Sequence, residues 1–210
     1  MLTRDQALRL VRAADAAPGP QRARTSALVA MLLFTGARVS EVIGADVGDL
    51  GAERGRPVLR VTRGDGDRRS LPLPGPAAVR IDTYLARRPD LAGAPGRNGQ
   101  PGPGHAGKVL FATGTGGRLF AADVWRVMRR LAAQAGLPDD LTGHLGPEAM
   151  RHSFATLYLD AGGSLSDLQE VMGHADPRTT RRYDRERQAP SRSPGDVVAA
   201  YLAAPPHPRR

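Results

Sequence analysis

Residues 146–184 read GPEAMRHSFATLYLDAGGSLSDLQEVMGHADPRTTRRYD, and this stretch decides the fold. Its apolar spacing and its Gly and Pro breaks predict three consecutive helices, over 147–161, 165–173 and 177–187. Four side chains with chemistry sit among them. Arg151 and His152 lie in the first helix, His174 follows Gly173, and Tyr183 stands among arginines. Each has an ordinary reading. A basic pair on a helix is usually a solvated face, and a histidine after a glycine can satisfy the last carbonyls of a helix. A tyrosine between arginines can pack, or touch a polyanion, without reacting.

Working upstream, residues 35–50 read TGARVSEVIGADVGDL. Gly36 closes a nearly all-apolar helix over 24–35, whose composition predicts burial on every side. A short helical turn follows it. Leu2, Ala7, Leu10, Val11 and Ala14 give an opening helix with Thr3 as its N-cap. Residues 58–62 and 70–73 read as strands joined by the polar segment RGDGDRR, a hairpin signal, and a helix over 76–88 follows. The Pro/Gly-rich segment 89–107 reads as a flexible surface loop inside the domain. A strand over 109–113, an amphipathic helix over 121–135 containing Trp125 and a short apolar helix over 196–203 complete the pattern, before a disordered PPHPRR tail. No internal repeat is present. The expected fold is mainly α with a small three-stranded antiparallel β-sheet, an α+β class.

At 210 residues the chain can bury one good core. It has no cysteine, which excludes disulfides, thiolate metal sites and cysteine nucleophiles. It shows neither a signal peptide nor an apolar stretch of membrane-spanning length, which reads as a soluble cytoplasmic protein with no membrane partner. A net charge of +9 points to a polyanion. Lys108 is the only lysine against 29 arginines, so a GC-rich genome accounts for part of this bias. With aromatics at 4 %, stacking platforms for single strands are not expected.

The two quoted stretches resemble the signature boxes of the tyrosine recombinase (phage integrase) family. The order matches as well: the first box, a β-hairpin, a helical stretch, RHSFAT, then GH, then a tyrosine nine positions after that histidine. The resemblance covers residues 2–187 and implies a catalytic domain that breaks and rejoins duplex DNA through a covalent 3′-phosphotyrosyl link. By that resemblance Tyr183 is the nucleophile, Arg38 and Arg151 bind the scissile phosphate, and His174 hydrogen-bonds it. These residue types suit the work. A phenol can form a covalent intermediate, and guanidinium groups stay charged and match phosphate geometry. The link conserves the energy of the broken bond, so no cofactor or metal is expected. The resemblance also implies a homo-tetramer on double-stranded DNA formed from monomers, with exchange of a C-terminal helix. Residues 195–204 fit that helix, and folding back on the same chain fits equally well. An N-terminal clamp domain is expected to be absent, and 188–210 is read as linker, helix and tail.

Two family positions differ. The hairpin lysine falls on Gly64 or Asp65, leaving Arg63, Arg68 and Lys108 as candidate substitutes, although arginine is a poor general acid. Glu148 stands where histidine is common, three residues before Arg151, and its charge opposes anion binding. His144 is a second candidate for that role, or a plain loop histidine. Arg38 also reads as a surface residue paired with Glu41. The leading expectation is a site-specific DNA recombinase. The rivals are a degenerate, non-catalytic DNA-binding protein of the same fold and a type IB topoisomerase-like relaxase.

Overall fold

A helix that is apolar all round has to be surrounded, and α2 (Arg22–Thr35) is: every residue from Ala27 to Thr35 is buried. The computed structural model describes residues 1–62, 66–91, 107–172 and 193–205. α1 (Arg4–Asp15) covers one side of α2 with Ala7, Leu10 and Ala14. Its start is the expected cap: Thr3 Oγ1 accepts the Gln6 N–H, and Gln6 Oε1 accepts the Thr3 N–H at 2.8 Å. α4 (Gly75–Leu85) and α7 (Pro147–Asp160) pack on other faces of α2.

Past Gly36 the chain forms α3 (Val39–Gly44), a 3₁₀ turn (Val47–Asp49) and then the sheet. Its strands are β1 (Leu50–Glu53), β2 (Arg56–Thr62) and β3 (Arg68–Pro72), antiparallel in the order β1-β2-β3. Leu50 pairs with Leu59, and Val61 with Arg69. Arg54 and Gly55, both at positive φ (50° and 75°), make the tight β1–β2 turn.

The expected three-stranded sheet is therefore present, but its third strand is β1 and not residues 109–113. That later segment makes only single bridges, Asp46 with Val109 and Ala112 with Arg118. It lies along the irregular chain after α3, where Val47 donates to Lys108 O at 2.7 Å and Leu110 to Ala45 O at 3.0 Å. Its apolar residues serve the core: Leu110 and Phe111 are fully buried.

Downstream come α5 (Ala121–Gln134), the short and unanticipated α6 (Asp139–His144), α7 and α8 (Leu165–Met172). The final helix, α9 (Pro194–Ala203), folds back on its own chain, against α2, α4, α7 and α8. The expected helix over 177–187, most of the 89–107 loop and the extreme tail lie outside the described residues. Among the described residues, no helix is long and apolar enough to cross a membrane.

Candidate active site

The end of α2 positions the first site residue. Gly36 adopts φ +62°, the left-handed conformation that closes a helix, and turns the chain toward Arg38. Arg38 is extended and opens α3, where its N–H donates to Glu41 Oε2 at 2.8 Å. The carboxylate thus sits at the positive end of α3, a favourable place for negative charge. The Arg38 side chain remains 42 % exposed, with Nη1 at 3.8 Å from Glu41 Oε1.

Arg151 enters from α7 and is almost entirely buried. Its Nη1 donates to the Gly36 carbonyl and its Nη2 to the Met172 carbonyl, which joins the end of α2 to the end of α8. A third arginine arrives from β3. Arg69 Nη2 donates to Glu41 Oε2 at 2.8 Å, and its Nη1 donates to Val171 O at 2.6 Å. Two guanidinium groups, those of Arg38 and Arg69, therefore share one buried carboxylate, and Arg151 feels its charge without bonding it. Burial lowers the Arg151 pKa from the usual arginine range. The positive charges of Arg38 and Arg69 push the same way, and Glu41 and Glu148 push back. Arginine stays charged under such pressure, so the cluster holds excess positive charge beside low-dielectric protein.

Of the residues singled out from sequence, Arg38 and Arg151 are brought together. Tyr183, His174 and Arg63 lie outside the described residues, as do Gly64 and Asp65. Glu148 is exposed in the first turn of α7, and its charge reaches Arg151. Arg68 is exposed, and strand alternation turns it to the face opposite Arg69. Lys108 is exposed near Asp90, whose carboxyl is held low first by the Arg88 hydrogen bond and, least of the causes, by the Lys108 charge. His144 is exposed at the end of α6. Glu41 does pair with Arg38, but as a buried group, 2 % exposed, rather than half of a surface pair. Arg69 was not among the residues singled out from sequence: strand alternation puts it on the face of the buried Leu71, but that pattern does not say which residue it meets.

With this geometry in place, similarity to known proteins is informative. The chain is 38 % identical over 187 residues to tyrosine recombinase XerD of Mycobacterium leprae (strain TN), covering 87 % of this chain and 55 % of that protein. It is 34 % identical over 178 residues to tyrosine recombinase XerC of Roseiflexus castenholzii, covering 84 % of this chain and 52 % of the relative. The chain thus spans about half the length of the curated relatives it matches. Among solved structures, XerA recombinase superposes with a TM-score of 0.65 at 26 % identity, over 89 % of this chain and 60 % of that one. XerH site-specific recombinase bound to difH substrate gives 0.65 at 26 % identity, over 86 % and 48 %. The model of the phage integrase family matches residues 1–189, and the chain belongs to that family.

Proposed function

We propose that this chain breaks and rejoins duplex DNA as the catalytic part of a site-specific tyrosine recombinase, with residues 1–187 as its catalytic domain. The observation that carries this reading is the convergence of Arg38 and Arg151 at Gly36, one guanidinium open to solvent and the other locked behind it. Such a pair suits a phosphate whose charge grows during attack. In this reading the Tyr183 phenol oxygen attacks the scissile phosphorus. The bond to tyrosine forms, the bond to the 5′ oxygen breaks, and a 3′-phosphotyrosyl end and a 5′ hydroxyl result. His174 hydrogen-bonds a phosphate oxygen. Arg68 on the far face of β3 and Lys108 beside Asp90 leave the proton on the 5′ oxygen without an assigned side-chain donor among the described residues. A cytoplasmic protein acting on double-stranded DNA, assembling from monomers into a tetramer, belongs to the same reading. The relatives named above support it, including a XerH site-specific recombinase bound to difH substrate.

Glu148 favours a second reading, a DNA-binding protein that has lost catalysis, because its charge acts on Arg151. One experiment separates the two. The protein is incubated with nicked suicide duplexes carrying candidate sites, and SDS-resistant protein–DNA adducts are sought. The recombinase reading expects an adduct that Tyr183→Phe abolishes. Clear duplex binding with no adduct on any site overturns it in favour of the second reading.

A further inference from the structure

Arg69 binds two groups that belong to different halves of the candidate site. Its Nη2 takes the Glu41 carboxylate and its Nη1 takes Val171 O, one residue before the Met172 carbonyl held by Arg151. The side chain is 14 % exposed, so it presents little surface to a ligand. Glu41, in turn, has two cationic neighbours at unequal range. Arg69 Nη2 stands at 2.8 Å, while Arg38 Nη1 stands at 3.8 Å from the other carboxylate oxygen. Among the described residues that second oxygen accepts no hydrogen bond. A buried carboxylate of this kind strongly favours a close cation.

We propose that Arg69 is a positioning residue that keeps Arg38 available to phosphate by occupying Glu41. Without Arg69, Glu41 draws the Arg38 guanidinium onto itself, and the exposed positive charge of the site is neutralised from within. The bond to Val171 O holds Arg69 in register with the Arg151 side of the cluster. Arg69 touches no reacting atom in this scheme. The inference rests on the recombinase reading for its consequence in catalysis, though not for the competition over Glu41.

The test compares wild type, Arg69→Gln, Arg69→Lys, Arg38→Ala and the double variant Glu41→Gln/Arg69→Gln. Single-turnover adduct formation on a nicked suicide duplex is expected to fall about 100-fold in Arg69→Gln, the scale of a misplaced catalytic group. Arg69→Lys keeps a cation beside Glu41 and recovers part of this loss. The double variant recovers it as well, because no carboxylate remains to sequester Arg38. On a methylphosphonate substrate, which lacks the charge that arginine stabilises, the Arg69→Gln deficit shrinks to within about tenfold, as it does for Arg38→Ala. A second readout needs no chemistry. In duplex binding, the slope of log affinity against log salt falls by about one in Arg69→Gln and in Arg38→Ala, and returns in the double variant.

Adduct formation by Arg69→Gln at the wild-type rate overturns the proposal. So does a deficit that is equal on both substrates and unrelieved by Arg69→Lys or by the double variant, which is the signature of a purely structural role. Wild type that binds duplex and forms no adduct sinks the recombinase reading instead, and the salt slopes then decide the Arg69 proposal alone.

Discussion

At Gly36 the backbone leaves α2 with φ +62°, and a Cβ built there would stand 2.4 Å from the Phe154 ring. The same residue's carbonyl is one of the two that hold Arg151. A side chain would have to adopt the left-handed region and displace a fully buried ring at once. Left-handed backbone costs about 1–2 kcal/mol and overpacking about 1–3 kcal/mol, so Gly36→Ala is expected to lose about 2–5 kcal/mol in urea unfolding. A loss below about 1 kcal/mol would mean that Phe154 yields easily, and that Gly36 is not a rigid mount for Arg151. At this scale the resemblance to a known family was the legible signal: it implied that Arg38 and Arg151 serve one site, and in the structure Arg151 donates to the Gly36 carbonyl, two residues before Arg38. The burial of Glu41 and its meeting with Arg69 were not legible, because both depend on how the sheet lies against α3. Twenty-eight residues separate Glu41 from Arg69, and no local pattern records that approach.

Among the elements, α9 shows how a single glycine sets a docking surface. A Cβ on Gly195 would stand 2.4 Å from Phe34 O and 2.5 Å from Pro74 Cγ, so the helix seats its first turn directly on the end of α2. Val198 and Leu202 bury their side chains in the same seat, and Arg4 Nε donates to Tyr201 O at 2.8 Å with its guanidinium over the Tyr201 ring. Replacing Gly195 with Val therefore lifts α9 and leaves its sequence otherwise intact. Hydrogen exchange is the direct measurement: amides of 197–203 in Gly195→Val should exchange at least about tenfold faster than in wild type, while those of α2 stay protected. Unchanged exchange would place the anchoring in Val198, Leu202 and Arg4 instead. From sequence the helix itself was visible, but whether it returned to its own chain was left even. The decisive contacts, Gly195 on Phe34 and Arg4 on Tyr201, join the two ends of the described chain. The sheet gives the reverse lesson: three strands were expected and three are present. However, Leu50–Glu53 is too short and too Gly-flanked to announce itself, while the apolar 109–113 run looked like a strand because Leu110 and Phe111 belong to the core.

For the whole molecule, the net charge of +9 overstates what is available to a polyanion. Many arginines are spent on the protein's own backbone. Arg24 donates to Ala112 O, Arg88 to Val109 O and Leu110 O, Arg118 to Ile43 O and Ala45 O, and Arg4, Arg69 and Arg151 to the carbonyls already described. Several also carry acidic partners, such as Asp90 for Arg88 and Asp46 for Arg118. These side chains act as caps for irregular chain, a use that suits the planar five-donor guanidinium better than an ammonium. If all nine net charges met phosphates, log affinity for duplex DNA would fall against log salt with a slope of about −8. We expect a shallower slope, because the carbonyl-bound arginines release no counterions on binding. The two populations are separable by substitution. Arg38→Ala, which removes an exposed guanidinium, should reduce the slope by about one. Arg88→Gln, which removes a buried one, should leave the slope unchanged and lower the unfolding midpoint, since Val109 O and Leu110 O lose their donor. A wild-type slope near −8, or a slope that falls with Arg88→Gln, would show that the internally bound arginines also reach the DNA, and that the positive footprint is as large as the composition suggests.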